Sequence, residues 1–476
     1  MIYNQFYLKT ALLDAEFKTY NIDLDDLFFK KEITGFCIDS RKITRDQIFI
    51  ALLGEQVDGH DYLISVLQNG AMGLIIQKDK KELLDKIDAK LLEEKLVIIV
   101  DDTLHALKQL AKIWRNRFKY PIVGVTGSVG KTSTKEMLNS IFNAASIFAY
   151  VSLENQNTII GLSLNILKMR EEHKFAVFEM GISHTGEMEE LVDLLRPTIG
   201  VITYISNAHG QGLGNLAQIT EEKLKIFSLF KSNNVAIING DQDVFKEFYF
   251  DFPIITFGLK TKNNIQARMI KNYKDFNAKF NLKIHSKKYP LIAPFNHLGL
   301  INNVLAATAV AEILEIDHKF IVSGIENYKS FEGRFEKKEL KNNNGNLIHD
   351  CYNASPESMK VALESFAKIY CAGKKIAVLG DMLELGEKEA FWHKQVGRFL
   401  SKNLDLDFIL LVGNLSVNIC KTMPAILKNK TKKVKDWSQA KVFLDNYLKD
   451  FSNKDNLILF KASRGVGLDN IIKDLS

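Results

Sequence analysis

Six consecutive residues, Gly127, Ser128, Val129, Gly130, Lys131 and Thr132, follow an apolar run of strand character, Ile122 to Thr126, and precede a helix-forming stretch. Two glycines let backbone N–H groups turn inward on a polyphosphate, and the positive end of the next helix adds to that field. Lys131 then reaches the terminal phosphates, and the Thr132 hydroxyl can ligate magnesium. The full phosphate-loop pattern has glycine where Val125 stands, so this loop is a shortened variant. A plain glycine turn with a surface lysine is the competing reading. Strand, loop and helix nevertheless occur in the order that phosphate binding requires.

Glu179 ends a second apolar run, Phe175 to Phe178. Its carboxylate is therefore expected at the C-terminal edge of a parallel sheet, beside the loop and where a magnesium ligand is needed. Alone, a carboxylate after a strand is ordinarily a solvated one. His209 lies in the polar loop Ser206 to Gly214, and Lys223 sits in a helix whose inner face carries Ile219, Ile226, Phe227 and Phe230. By spacing alone His209 is an ordinary loop histidine, and Lys223 belongs to a solvated face with Glu221, Glu222 and Lys225.

The elements that position these groups follow from pattern and length. A chain of 476 residues fits two to four domains, and 46% hydrophobic with 25% charged residues is the balance of a folded soluble protein. The net charge of +6 is dispersed, with Lys and Glu interspersed as in Lys80 to Lys95, so no basic stripe marks a nucleic-acid partner. Cys37, Cys351, Cys371 and Cys420 lie too far apart for a zinc cluster or a disulfide framework and read as reduced thiols. Met1 to Tyr20 has no leader pattern, and no apolar stretch reaches spanning length. A cytoplasmic protein without a membrane partner, and a monomer, is expected.

Short apolar runs at Ile48 to Leu53, Gly73 to Ile76 and Leu96 to Val100 read as a small α/β domain over residues 1–118. Alternating strand and helix patterns from Ile122 through Ile199 to Thr203 and Val235 to Ile238, with a helix near Ile219 to Phe230, predict a doubly wound parallel sheet over 119–332. A further series, Ile376 to Leu379, Phe408 to Val412 and Leu457 to Phe460, predicts a Rossmann-like domain over 333–476. The fold class is α/β in three domains, with no internal repeat and no low-complexity linker between them.

Taken together these residues resemble the Mur ligases, nearly end to end. Asp39, Ser40 and Arg41, then Phe49, Ala51, Leu52 and Gly54, then Asp58, Gly59 and His60 resemble the family's uridine-nucleotide segment; Arg and hydroxyl groups suit a diphosphate. Ser152, Asn155, Gln156 and Asn157 resemble a Thr-x-Gly-Asn-x-Asn segment near the phosphates, with Glu154 where Gly is usual. Glu179, Met180, Gly181, His184, Gly186 and Glu187 match the next motif and imply a magnesium role for Glu179. Asn207, Ala208 and His209 imply that His209 helps hold a second magnesium. Lys223 falls where the family carries a carbamylated lysine, with Lys225 where Glu is common. Asn296 to Ala307 corresponds to a His-Asn-x-x-Asn-Ala motif at a spacing one residue off, and Asn303 is the nucleotide contact it offers.

Gly333 and Arg334 resemble the family's interdomain pair. Asp350, Tyr352, Asn353, Ala354, Pro356, Ser358 and Met359, with His349 in place of Asp, resemble a segment of the branch that adds D-alanyl-D-alanine. Gly380, Asp381, Met382, Glu384, Leu385 and Gly386, then His393 and Gly397, extend the match. Lys461, Ser463 and Arg464 resemble a Lys-Gly-Ser-Arg segment in which Ala462 replaces Gly. Packing and loop capping compete with a functional role at each of these positions.

The resemblance implies an ATP-dependent amide-bond ligase. A carboxylate is inert to amines because its leaving oxygen is poor, and phosphorylation by ATP makes an acyl phosphate that reacts. The acceptor implied is UDP-MurNAc-tripeptide and the amine D-alanyl-D-alanine. Lys131, Lys223 and His209 are the catalytic residues implied, with Mg2+ held through Thr132, Glu179, His209 and carbamylated Lys223. Arg334, Asp350 and Asn353 are implied to meet ATP. The ligase that adds the preceding dibasic amino acid is the nearest alternative, but its Asp-Asn-Pro-Arg segment is missing. A phosphate-loop switch or motor NTPase would carry Asp in place of Glu179. A non-catalytic nucleotide-binding module would not need Lys131, Thr132, Glu179, His209 and Lys223 together.

Overall fold

Runs such as Leu74 to Ile76 and Leu410 to Val412 are apolar without alternation, which suits strands covered on both faces, and the sheets they form are largely parallel. The computed structural model describes residues 33–153, 156–206, 210–272, 276–341, 345–401, 405–450 and 455–476. The expectations for Met1 to Tyr20 and for Glu154, Asn155, Asn207, Ala208 and His209 lie outside the described residues. The chain divides into two compact units, one made of Met1–Ile122, Tyr150–Met180 and Glu189–Pro197, the other of Val123–Ala149, Gly181–Met188 and Thr198–Ser476.

In the first unit, strands Gly35–Cys37, Gln47–Ile50, Gly73–Gln77 and Leu96–Val100 form a parallel sheet in sequence order. Phe49, Leu63, Val66, Leu74 and Val97 fill the core beneath it. The helix Thr103–Asn116 begins at an Asp102 side-chain cap and buries Ala106, Leu107, Leu110 and Trp114 on one stripe. Strands Tyr150–Val151 and Ala176–Glu179 also pair in parallel.

In the second unit, the loop strand Ile122–Thr126 pairs with Ile199–Ile202, and the parallel order continues through Val235–Asn239, Ile254–Gly258 and Ile265–Asn272. Antiparallel strands Ala278–Ile284 and Lys287–Ala293 complete that side of the sheet. Helix Leu298–Ile313 is apolar on nearly every side and, apart from Asn302, is buried from Leu300 to Ala311. A second sheet runs Glu336–Glu339, Asn346–Asp350, Leu457–Lys461, Lys375–Gly380, Phe408–Val412, Thr431–Val434. Its first pair is antiparallel and the others are parallel. The crossovers bring Asp350 and Lys461, the last residues of two neighbouring strands, into one register.

Candidate active site

The phosphate loop is braced by the chain that follows Ile199–Ile202. Ser128 N–H donates to Tyr204 O at 2.7 Å, Ser128 Oγ donates to Ser206 O at 2.9 Å, and Thr203 Oγ1 donates to Val129 O at 2.6 Å. Gly127 has φ +147° and Gly130 φ +91°, both in the left-handed half of the map. A Cβ on Gly127 would meet Thr203 Oγ1 at 2.1 Å, and one on Gly130 would meet Asn303 Oδ1 at 2.4 Å. Only glycine fits either place. Helix Lys131–Ala144 has Gly130 as its N-cap with no side chain capping it, an end suited to an anion. The Lys131 amine bends back to Gly127 O at 3.0 Å.

The loop lines a cavity of about 330 Å³ within the second unit. Asn303, Arg334, Asp350, Asn353, Ser358 and Lys461 share its wall with Ser128, Val129, Gly130 and Lys131, so the structure brings together residues more than 300 positions apart. Arg334 places one N–H 3.4 Å from Thr132 Oγ1 and stacks its guanidinium 3.9 Å from the Tyr352 ring centre. Asp350 and Lys461 form a buried pair at 3.0 Å, and the Lys461 amine also donates to Asn353 O at 2.7 Å. Burial pushes the Asp350 carboxyl up against the pull of Lys461. Beside it His349 bonds Asp469 at 2.7 Å and faces Glu336 at 3.4 Å. Burial works against a charge on His349, but those two carboxylates outweigh it and raise its pKa.

Lys223 is 1% exposed, so it belongs to no solvated face. Burial, and then the nearby positive Lys131, hold its amine well below the usual lysine range, with Glu222 opposing. Among the described residues no hydrogen bond or ion pair holds that amine. Glu222 is buried too, accepting from Gly186 N at 2.8 Å and Met188 N at 3.3 Å while pairing with Lys225 at 2.8 Å. Ser358 takes the part of a reciprocal helix cap with Ser355. His184 and Arg464 are exposed.

In the first unit, Glu179 ends its strand as expected. Its N–H donates to Ser152 Oγ at 3.2 Å and its Oε1 accepts from Asn157 Nδ2 at 2.8 Å. Asp39 and Arg41 form an exposed two-point pair at 2.9 and 3.0 Å, with Ser40 between them. Gly54 donates to Val57 O at 3.0 Å in a tight turn. His60 is buried with both ring nitrogens engaged, by Asp58 at 2.6 Å and by the Gln77 N–H at 3.0 Å. It therefore shapes the segment. Burial opposes the Asp58 charge, but the His60 N–H, Lys80 and the His60 ring bring its pKa down to about 2.

Sequence reasoning passed over His297, which lines the cavity, caps helix Leu298–Ile313 and packs against the Phe335 ring at 4.4 Å. Burial, then Lys461, brings its pKa down to about 3, so it is a neutral ring. Its place just before an apolar helix was the signal available. Glu357 on the same wall carried no signal beyond its position in a helix's first turn.

The glycine cradle, the uncapped helix and the gathered cations fit a nucleoside polyphosphate. The Lys223 amine, pushed toward neutrality by burial and by the positive charge of Lys131, fits an added anion there. Among the described residues no group of three or more His, Cys, Asp or Glu is placed to hold a metal.

Three family profiles match the chain. The Mur ligase family catalytic-domain profile matches residues 32–115, the Mur ligase middle domain 125–311, and the Mur ligase glutamate ligase domain 333–464. The chain belongs to the Mur ligase family. Within it, the chain is 35% identical over 447 residues to UDP-N-acetylmuramoyl-tripeptide--D-alanyl-D-alanine ligase of Bacillus subtilis, covering 93% of each. It is 30% identical to the Escherichia coli protein of that name, covering 86% of this chain and 85% of that one. Crystal structure I of MurF from Acinetobacter baumannii superposes with a TM-score of 0.85 at 27% identity over 100% of this chain and 99% of that one. MurF ligase from Thermotoga maritima in complex with ADP gives 0.77 at 26% identity, covering 92% and 96%.

Proposed function

We propose that this chain joins D-alanyl-D-alanine to UDP-MurNAc-tripeptide at the expense of ATP, the activity in the names of the relatives that match it nearly end to end. It is an ATP-dependent amide-bond-forming ligase of peptidoglycan precursor synthesis. The observation that carries this reading is the cavity in which the phosphate loop, Arg334, Asp350 and Lys461 meet. The tripeptide carboxylate oxygen attacks the ATP γ-phosphorus and ADP leaves. The dipeptide amine then attacks the carbonyl carbon of the acyl phosphate, and phosphate leaves with the bonding electrons.

In this reading the loop N–H groups and Lys131 hold the polyphosphate, and Arg334 and Lys461 add positive charge where it accumulates. Magnesium, when bound, supplies further charge neutralisation at the phosphates. Thr132, Glu179, His209 and carbamylated Lys223 are the residues that the family resemblance implies would hold it. Asn303, Asp350 and Asn353 contact the nucleotide. Asp39, Ser40, Arg41, Gly54, Asp58, His60, Ser152, Asn155, Asn157, His184, Ser358, Lys461 and Arg464 serve substrate binding, His60 through the Asp58 segment it shapes.

Three domains, 1–118, 119–332 and 333–476, divide the work, and one of the three profile matches falls within each. The enzyme acts as a monomer in the bacterial cytoplasm; no described helix is long and apolar enough to cross a membrane.

Phosphate release with UDP-MurNAc-tripeptide, with and without D-alanyl-D-alanine, tests the proposal. Release that requires the dipeptide and yields the pentapeptide mass supports it. Release that ignores the dipeptide refutes it.

A further inference from the structure

The Glu357 carboxylate on the cavity wall has no part in the mechanism above. Glu357 is the second residue of helix Pro356–Lys368, and its Oε2 is screened from solvent with no hydrogen-bond partner. One turn further, Val361 lines the same cavity, and a Cβ on Gly299 would meet it at 3.6 Å. This helix face is thus turned toward Leu298, Gly299 and Leu300. Tyr204 also feels the carboxylate: burial first, then the Glu357 charge, raises its phenol pKa. The cations of the wall are placed elsewhere, Lys131 on the loop, Arg334 at Thr132 and Lys461 on Asp350. With the Ser358 hydroxyl used in the helix cap, the cleft between Val361 and Leu298 to Leu300 is apolar and carries one free acceptor. That is wrong for a phosphate and right for a flat apolar ring bearing an N–H donor.

We infer that Glu357 is a specificity residue of the nucleotide site, accepting a hydrogen bond from the exocyclic amine of adenine while Val361, Leu298 and Leu259 pack against the ring. This rests on the reading of the cavity as the ATP site. Hypoxanthine and guanine carry a carbonyl oxygen at that ring position. A carboxylate facing it sets acceptor against acceptor, which rejects the wrong base. The amide of Glu357→Gln can turn either its oxygen or its NH2 toward the ligand, and so loses that rejection.

The test is calorimetric titration of the full-length chain with ADP and with IDP, alongside a melting curve for each variant. The wild type prefers ADP by about a hundredfold, and Glu357→Gln shrinks that preference by about tenfold or more, weakening ADP and tightening IDP. Glu357→Asp, which keeps the charge but withdraws it by one methylene, weakens ADP without gaining IDP. An unchanged ADP-to-IDP ratio in a folded Glu357→Gln overturns the inference. So does a collapse of the ADP-to-2′-deoxy-ADP ratio alone, which would move the carboxylate to the ribose. These titrations need neither acceptor nor dipeptide, so they are read independently of phosphate release. Failure of the wild type to bind ADP would overturn both readings.

Discussion

Replacing Lys461 by Met removes a charge from one of the most heavily invested positions in the second unit. Lys461 is 2% exposed and Asp350 7%, and their charged groups are 3.0 Å apart. The same amine serves Asp350 O at 3.3 Å and Asn353 O at 2.7 Å. Methionine keeps most of the stem volume, so the packing change is small. What remains is a buried carboxylate without its partner, together with two carbonyls that lose a donor. Breaking a buried pair in this way costs about 3–5 kcal/mol.

The double variant Asp350→Asn/Lys461→Met removes the orphaned charge and should recover about 2 kcal/mol of that loss, because an unsatisfied neutral amide costs less than an unpaired ion. The pH dependence carries a definite sign. Burial already raises the Asp350 pKa, and without Lys461 it rises further. A carboxyl raised above its unfolded value stabilises below that value, and the stabilisation is lost as pH climbs through the folded pKa. The Lys461→Met defect is therefore smaller at pH 5 than at pH 8. Urea unfolding followed by Trp437, which packs against Gly467 beyond the strand of Lys461, reads the region directly. A single-variant loss below about 1 kcal/mol at pH 8, or strictly additive effects in the double variant, would refute the reasoning.

Lys223→Met should abolish ligation, by at least about a hundredfold, and yet stabilise the protein in bicarbonate-free buffer at neutral pH. A lysine with a depressed folded pKa binds fewer protons folded than unfolded, so wild-type stability falls as pH drops below the unfolded lysine value, and the variant loses that slope in chemical denaturation. Gly130→Ala drives a methyl to 2.4 Å from Asn303 Oδ1 at φ +91°. It should cost about 1–3 kcal/mol and weaken ADP at least about tenfold, measured by calorimetry; unaltered affinity would deny the loop its phosphate. His349→Asn should flatten the melting temperature between pH 5.5 and 8.5. The raised histidine pKa makes the wild-type share present below the ordinary histidine value and lost as pH rises through the folded one.

The phosphate loop was legible because its chemistry is contiguous: six residues and their own backbone make the cradle, and the apolar strand before it announces the position. Parallel strands such as Ile122–Thr126, Phe408–Val412 and Leu457–Lys461 were legible as continuous apolar runs, whereas Ile254–Gly258, Asn346–Asp350 and Thr431–Val434, which are part polar or only half buried, were not. Strands Ala278–Ile284 and Lys287–Ala293 were missed too, because the buried residues of the first alternate with Lys279, Asn281 and Lys283 and the second opens on exposed Lys287 and Lys288, so neither begins as an apolar run. The cavity wall could not be read locally. Leu259, His297, Glu357 and Leu383 come from four separated segments, and only the crossovers of two sheets bring them to one space. The family resemblance supplied Asp350 and Lys461 as site residues, but the pairing between them is a property of strand register.

Lys223 shows most plainly why local pattern misleads here. Its neighbours Glu221, Glu222 and Lys225 look like a solvated face, yet the fold buries Glu222 to tie down Gly186 and Met188 and turns Lys223 inward near Lys131. A buried amine that feels a second positive charge lowers stability, and packing alone gives no reason to keep it. The arrangement makes chemical sense if the site needs an amine that is neutral enough to take up carbon dioxide, and needs the resulting anion beside a lysine that handles phosphate. In the proposed reading, the same burial that makes Lys223 a liability in the free chain prepares it to become an anionic ligand.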